Sequence, residues 1–321
     1  MNLVNKRTTE LTKEEIQQYC SCFYRVFHRG KTPEAFCKEF TNTCLGYSFH
    51  SLLKADDGVI MGGYTSIPVP YEINDTKMLF AFGVDLMIDL SLRDDVSNLL
   101  GIIKANDKVL KTAGVKCFYG FPNDNSYKVN LAFIRMKDIC MLDTYILPWA
   151  ISAVKPFLRV LDPFSCLLAK TRLLLSKVSD NRTVFDSPIH KKQPEFDNNR
   201  YLWFDSSEYR HYKDSEMTCH WKIGNFDNIE AAFLMDVYPL SKRNFDKAVS
   251  IAYNDCKKSV GLLLYVGYLP FMPCTMIKVP MKYAPKKFHF VAKILDKQSL
   301  EKEMVYNGKN WDVNLASYDL L

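Results

Sequence analysis

Residues 78–122, MLFAFGVDLMIDLSLRDDVSNLLGIIKANDKVLKTAGVKCFYGFP, read as strand, loop, amphipathic helix and strand. Residues 78–88 are rich in Phe, Val, Leu, Met and Ile and carry one charge, Asp85. Residues 89–95 form a polar elbow. Val96, Leu99, Leu100, Ile103 and Leu110 then recur at helical spacing, with Lys104, Asp107, Lys108 and Lys111 opposite them. Gly114 stands where a helix C-cap belongs, and 115–121 form a second strand ending at Gly120-Phe121-Pro122. Such a unit aims the orphan N–H groups of its helix at one spot, a natural anion site. A ligand-free βαβ packing unit gives the same pattern.

The chain has 321 residues, 48% hydrophobic and 24% charged, enough for two well-cored domains of ordinary size. Its opening, MNLVNKRTTELTKEE, holds no apolar signal-type run, and no run approaches the length of a membrane span. Ten cysteines without a CxxC pair fit reduced thiols, so a cytoplasmic protein is expected. Six histidines without metal spacing, and the bare adjacency Cys219-His220, exclude a metal site on motif grounds.

Taken in order, Asn2 to Arg7 is a short edge strand. Thr12-Lys13-Glu14-Glu15 is a capping box, opening a helix that buries Ile16, Tyr19, Cys20, Phe23 and Phe27. Thr32-Pro33 starts a second helix with Phe36 and Phe40 inward. Strands at 46–55 and 59–67 flank the turn Asp56-Asp57-Gly58. The order is strand, two helices, three strands, helix, strand.

Several pieces now carry a resemblance: FYRVFHRGKTPEAFCKEF (23–40), the glycine pair of VIMGGYTSIP (59–68), VDLMIDLSLR (84–93), YGFPNDNSYKVNLAF (119–133) and NGKNWDVNLASYDLL (307–321). The chain resembles the GNAT superfamily of acyl-CoA-dependent N-acyltransferases, and in wording a bacterial branch built of two fused GNAT-like halves. The resemblance implies an α/β (α+β) fold of two domains, each a mixed, mostly antiparallel sheet flanked by helices. It also implies acetyl-CoA as cofactor, its pyrophosphate on the loop after the fourth strand, at Arg93, Asp94, Asp95, Val96, Ser97 and Asn98. Arg93 keeps the family pattern, whereas Val96 and Asn98 replace its small residues and Asp94 and Asp95 add negative charge. Weak coenzyme A binding there is expected. Backbone at Leu86, Met87 and Ile88 would polarise the thioester, Asp85 would be the base and Tyr127 the acid on sulfur. Asn123 and Ser126 belong to the cofactor-side turn in that scheme, although turn chemistry alone accounts for them. Asp85 as a plain strand-end acid and Tyr127 as a packing residue stay open beside these roles.

Residues 148–192 differ from what precedes them. Trp149, Ile151, Val154, Phe157, Leu158 and Leu161 lead into Leu167, Leu168 and Leu173 to Leu175, with eight Lys or Arg against three Asp. An inter-domain helical connector is one reading; contact with an anionic membrane surface is the other. No interleaving of aromatics and arginines suggests nucleic acid. Beyond it, Ser241 precedes a helix with Phe245, Ala248, Val249, Ala252 and Cys256 inward, then a strand from Val260 to Tyr268, echoing 93–122 in order. Strand-like runs at 200–204, 217–223, 230–237 and 287–295 complete a second sheet, and Trp311-Asp312 and Tyr318-Asp319 tie down the end. The expected division is 1–147 as an N-terminal GNAT-like domain, 148–195 as connector and 196–321 as a degenerate GNAT-like domain. Two functions follow: an N-acetyltransferase acting on a small amine, an amino sugar or glycan precursor among them, or a catalytically inactive GNAT-fold protein binding a metabolite, a partner or a membrane-associated assembly.

Overall fold

A computed structural model of the chain describes all residues except 178–180, 203–208, 227–228, 285 and 319–321. Along the chain run β1 (Asn2–Arg7), α1 (Lys13–Phe27), α2 (Pro33–Thr41), β2 (Phe49–Lys54), β3 (Ile60–Ile73), β4 (Thr76–Ile88), α3 (Val96–Thr112), β5 (Cys117–Gly120), α4 (Asp124–Ala132), β6 (Lys137–Met141) and β7 (Asp143–Pro148). There follow α5 (Asp162–Ser176), β8 (Ile189–Lys191), α6 (Glu195–Arg200), β9 (Tyr209–Lys213), β10 (Thr218–Phe226), β11 (Ile229–Tyr238), α7 (Lys242–Cys256), β12 (Leu262–Gly267), β13 (Ile277–Lys278), β14 (His289–Ile294) and α8 (Lys302–Val305). Two compact units result. Unit 1 comprises 1–140, 188–206 and 289–310; unit 2 comprises 141–187, 207–288 and 311–321.

Unit 1 is built on a sheet in the order β1-β2-β3-β4-β5-β14-β6, with β8 paired beside β3. The register pairs are antiparallel except for β4 with β5. Local chemistry explains its start. Thr12 caps α1 through the Glu15 N–H while Glu15 returns to the Thr12 N–H, and Thr32 caps α2 with Pro33 in its first turn. Phe36 and Phe40 are fully buried, as expected; Phe27 is exposed, and Cys22 takes its place in the interior. On α3 the inward row is Ile102, Ile103, Asn106 and Leu110, whereas Val96 lies outside at 45% exposure. Gly114 ends that helix at φ 79°, the left-handed value that glycine adopts without strain. β3 runs beyond 67 through two prolines to a turn at Asn74 and Asp75. Lys192 N–H donates to the Pro70 carbonyl and the Cys44 thiol donates to that of Pro68, so both prolines turn their missing N–H away from β4.

Unit 2 has a sheet in the order β13-β7-β12-β11-β10-β9, again antiparallel except for one adjacent pair, β11 with β12. Helix α7, capped by Ser241, sets Phe245, Ala248, Val249, Ala252 and Cys256 fully inside its core. Each unit therefore holds one helix bridging two parallel strands in a sheet that otherwise turns back on itself.

The domain boundaries differ from the sequence expectation because strands cross them. β7, expected in the N-terminal half, pairs with β12 from Leu262↔Pro148 to Gly267↔Asp143. The run 287–295, expected in the second sheet, instead pairs with β5 from Val291↔Gly120 to Ile294↔Cys117. The stretch 148–195 is no separate connector: 148–187 belongs to unit 2 and 188–195 to unit 1. Leu173 is buried, but Leu174 and Leu175 are 62% and 61% exposed, against the expectation that all three dock. In the run 200–204, Arg200 ends α6 and Tyr201 and Leu202 form a turn, while Trp203 and Phe204 lie outside the described residues, as does Asp319. Trp311 and Tyr318 are buried.

Candidate functional site

The central feature of unit 1 is a bulge in β4. Gly63 pairs with Met87 and Thr65 with Val84, so Tyr64 alone faces both Asp85 and Leu86. Asp85 absorbs the extra residue at φ 52°, a left-handed conformation that Asp tolerates better than most side chains. The glycine pair opposite has a steric cause: a Cβ on Gly62 would lie 2.8 Å from the Met87 carbonyl oxygen, and one on Gly63 3.2 Å from that of Ser51.

The bulge aims Asp85 at two partners. Its Oδ2 accepts from Lys31 Nζ at 2.8 Å and from the Tyr19 hydroxyl at 3.0 Å. Lys31 also reaches Glu39 Oε2 at 2.8 Å and lies over the rings of Phe23 and Phe40. Behind Tyr19 the hydrogen bonds continue through Thr65 (2.7 Å) and His50 Nδ1 (3.0 Å), and from His50 Nε2 to Thr8 (2.9 Å). Burial pushes His50 down to about 3, so the ring is neutral. With Tyr19 donating to Asp85, Thr65 donates to Tyr19, and the His50 proton sits on Nδ1. For Lys31, burial opposes the charge, but Asp85 and Glu39 override it and raise the ammonium above its ordinary value.

The ladder from β4 to β5 covers Phe80↔Cys117, Ala81↔Phe118 and Phe82↔Tyr119, while β4 itself continues to Ile88. Leu86 and Ile88 are half-buried and Met87 is buried in that continuation. After it, Arg93 Nε donates to the Ile88 carbonyl at 3.3 Å. Asp95 is the N-cap of α3: its Oδ1 accepts from Ser97 N–H at 2.8 Å and its carbonyl from Asn98 N–H at 3.2 Å. Asp94, Asp95, Val96 and Ser97 are exposed and Asn98 is half-buried. The Ser97 bonds hold the Asp95 carboxyl below its ordinary range.

Tyr127 sits one turn into α4. Asn123 caps that helix by accepting from Ser126 N–H at 2.9 Å, and Ser126 Oγ donates back to Asn123 at 3.0 Å, so each satisfies the other. The Tyr127 hydroxyl donates to Asp138 Oδ2 at 2.6 Å, a bond that pushes the phenol up to about 12. His289 stacks on the Tyr127 ring at 4.0 Å between centroids. Its buried Nδ1 stands 3.8 Å from Asp138 and has no hydrogen-bond partner among the described residues. No hydrogen bond joins Asp85 to Tyr127. The sequence reading missed Lys31, Glu39, Tyr19 as a polar partner, Asp138 and His289. Lys31 comes from the loop between α1 and α2 and the others from strands or helices, and no local spacing marks them.

Two further observations bound the chemistry. Among the described residues, no cluster of three or more His, Cys, Asp or Glu could hold a metal ion, and no helix is long and apolar enough to cross a membrane. A cleft of about 340 Å³ on α1, lined by Glu14, Gln17, Gln18, Ser21, Arg25 and Val59, contains none of the groups above.

No protein-family model matches the chain, and no curated protein does. Solved structures do. A conserved protein of unknown function from Enterococcus faecalis, described as a probable N-acyltransferase, aligns with a TM-score of 0.58 at 13% identity, over 93% of this chain and 74% of its own. A GCN5-related N-acetyltransferase from Anabaena variabilis aligns at 0.55 and 11% identity, over 91% and 73%. Another from Kribbella flavida aligns at 0.58 and 10% identity, over 92% and 71%. With one parallel strand pair in the sheet of each unit and these neighbours, the chain has the fold of the GCN5-related N-acetyltransferases.

Proposed function

We propose that the protein is an acyl-CoA-dependent N-acyltransferase acting on a small amine, with its site in unit 1 at the β4 bulge. The observation that carries this reading is the Asp85 bulge itself. It lies where β4 outruns its ladder to β5 and puts a carboxylate on that length of strand. Acyl-CoA, when bound, supplies an acyl group activated as a thioester. The β4 backbone at Leu86, Met87 and Ile88 suits its pantetheine arm. The elbow suits its pyrophosphate poorly, because Asp95 already occupies the Ser97 and Asn98 N–H groups. Arg93 is the cation there that would oppose the aspartates.

The chain's own groups define the rest. Asp85 and Glu39 place two carboxylates against the Lys31 ammonium, and Asp85 brings its negative charge to the bulge. That charge favours an incoming cationic amine and offers a base for its proton. Tyr127, protonated at working pH, holds a proton for a departing group once Asp138 is displaced from it. Amino sugars and glycan precursors fall within the acceptor class.

The self-capped elbow favours a second reading, a GNAT-fold protein without turnover that binds a metabolite or partner. Thiol release from acetyl-CoA across an amine panel separates the two. On the enzyme reading Asp85→Asn and Tyr127→Phe each slow turnover by roughly 100-fold or more, the usual scale for a positioned acid or base. Unchanged rates in both variants defeat the mechanism. Absence of turnover together with no calorimetric binding of acetyl-CoA establishes the second reading.

A further inference from the structure

We infer that the 156–176 segment of unit 2 is an in-plane docking surface for an anionic membrane. Helix α5 has two apolar rows. One, with Ala169 and Leu173, faces the unit 2 core. The other faces outward: Phe157, Val160, Phe164, Leu167, Leu168 and Leu175 follow one another at steps of one, three or four residues and one step of seven, Thr171 filling the same row. Phe157, Val160 and Phe164 are 77%, 84% and 71% exposed. The row passes without a break from the 3-10 turn at Pro156–Leu161 into α5, a length of about 30 Å. Isolated exposed apolar residues need no explanation, but a continuous row of this size marks an interaction surface.

Charge selects the occupant. Between residues 154 and 177 stand Lys155, Arg159, Lys170, Arg172 and Lys177, against Asp162 alone. Asp162 is already engaged, its carboxylate accepting from the Ser152 N–H and hydroxyl. Arg172 donates to the Thr275 and Met276 carbonyls, which ties α5 to a loop where Met272, Met281 and Tyr283 are exposed near Lys278 and Lys282. Long basic side chains flanking an apolar row can rest their stems on it and lift their charges to phosphate depth. A second copy fits less well, since a two-fold contact sets the patch against itself and brings like charges together. α5 has 15 residues, so it lies on a bilayer and does not span it.

The experiment is co-sedimentation of the full chain with phosphatidylcholine vesicles, with and without phosphatidylglycerol. Binding is expected only with phosphatidylglycerol and is lost at high salt. The pair Val160→Ser and Phe164→Ser should lower partitioning roughly tenfold or more. The pair Arg159→Glu and Lys170→Glu should lower it by at least about tenfold, since each basic residue near the surface contributes roughly fivefold. All four positions are exposed, so circular dichroism should show both variants folded. No binding to either vesicle, or binding that both variants retain, overturns the inference. So does a concentration-dependent dimer that Phe164→Ser abolishes while vesicles stay unbound.

Discussion

Removing the one ammonium between Asp85 and Glu39 is the sharpest test of how unit 1 is held. In Lys31→Met the stem is replaced by a side chain of similar bulk, but both contacts of 2.8 Å disappear. The three side chains are 12%, 10% and 5% exposed, so water does not make good the two lost ion pairs. Breaking a buried pair by removing one partner costs about 3–5 kcal/mol. The cation–π contacts over Phe23 and Phe40 are lost as well, while the methionine's burial offsets part of the total. Hydrogen–deuterium exchange is the local assay. Peptides over Val84–Ile88 and α1 should exchange about 100-fold or more faster, at roughly 1.4 kcal/mol per decade. Peptides over β12 in unit 2 serve as the internal standard. Wild-type stabilisation from Lys31 is fully present below its ordinary value of 10.5 and fades only as pH rises through the higher folded value. Exchange over Val84–Ile88 within threefold of wild type at neutral pH would refute the reasoning.

Two further outcomes follow from the same unit. Gly62→Ala should destabilise it by about 1–3 kcal/mol, because the added methyl meets the Met87 backbone and no rotamer can relieve it; a denaturation midpoint equal to wild type would contradict that. Burial alone would raise Glu15, but bonds from Lys54, Lys6 and the Thr12 N–H bring it down to about 2. Its contribution is therefore present above about 4.5 and lost as pH falls toward 2, so Glu15→Gln should lower the melting temperature at pH 7 and converge with wild type near pH 2.

The first 120 residues were legible because their signals are local. Capping at Thr12 and Thr32 and the glycine at 114 each bear on a few neighbouring residues, and the structure follows them; the period of α3 gives the helix but not its whole inward row, where Ile102 and Asn106 join Ile103 and Leu110. What sequence could not supply is set by pairing at a distance. Nothing in the run 287–295 says that it seeks β5 across some 170 residues; an apolar strand is acceptable to either sheet. The site divides in the same way. Asp85 stood out as the sole charge in its strand, but its φ of 52° arises from register against β3, and its partners arrive from elsewhere: Tyr19 from a helix face read as packing and Lys31 from the loop after that helix. The 148–192 leucines misled because periodicity reports that a helix has apolar faces without saying how many are covered.

The repeat between the units sharpens the assignment of the site to unit 1. In unit 2, β11 stands where β4 stands in unit 1, before the bridging helix and beside the one parallel neighbour. It too carries an extra residue: His220 pairs with Asp236 and Trp221 with Leu234, which leaves Met235 over. Both bulges thus have an aspartate, Asp85 in one and Asp236 beside the other. Their surroundings differ in kind. Asp236 is 2% exposed and accepts from the Asn314 side chain at 2.7 Å and from the Val237 N–H at 2.9 Å. The Asp85 side chain is 10% exposed and balanced by the Lys31 ammonium, a partner that an incoming amine can rival in kind. A carboxylate shut off from solvent is a structural tie; one with an edge open to solvent, already holding a cation, can receive another. Asp236→Asn should accordingly leave amine-dependent thiol release unchanged, whereas Asp85→Asn removes it. Equal loss in both would place the chemistry outside the unit 1 bulge.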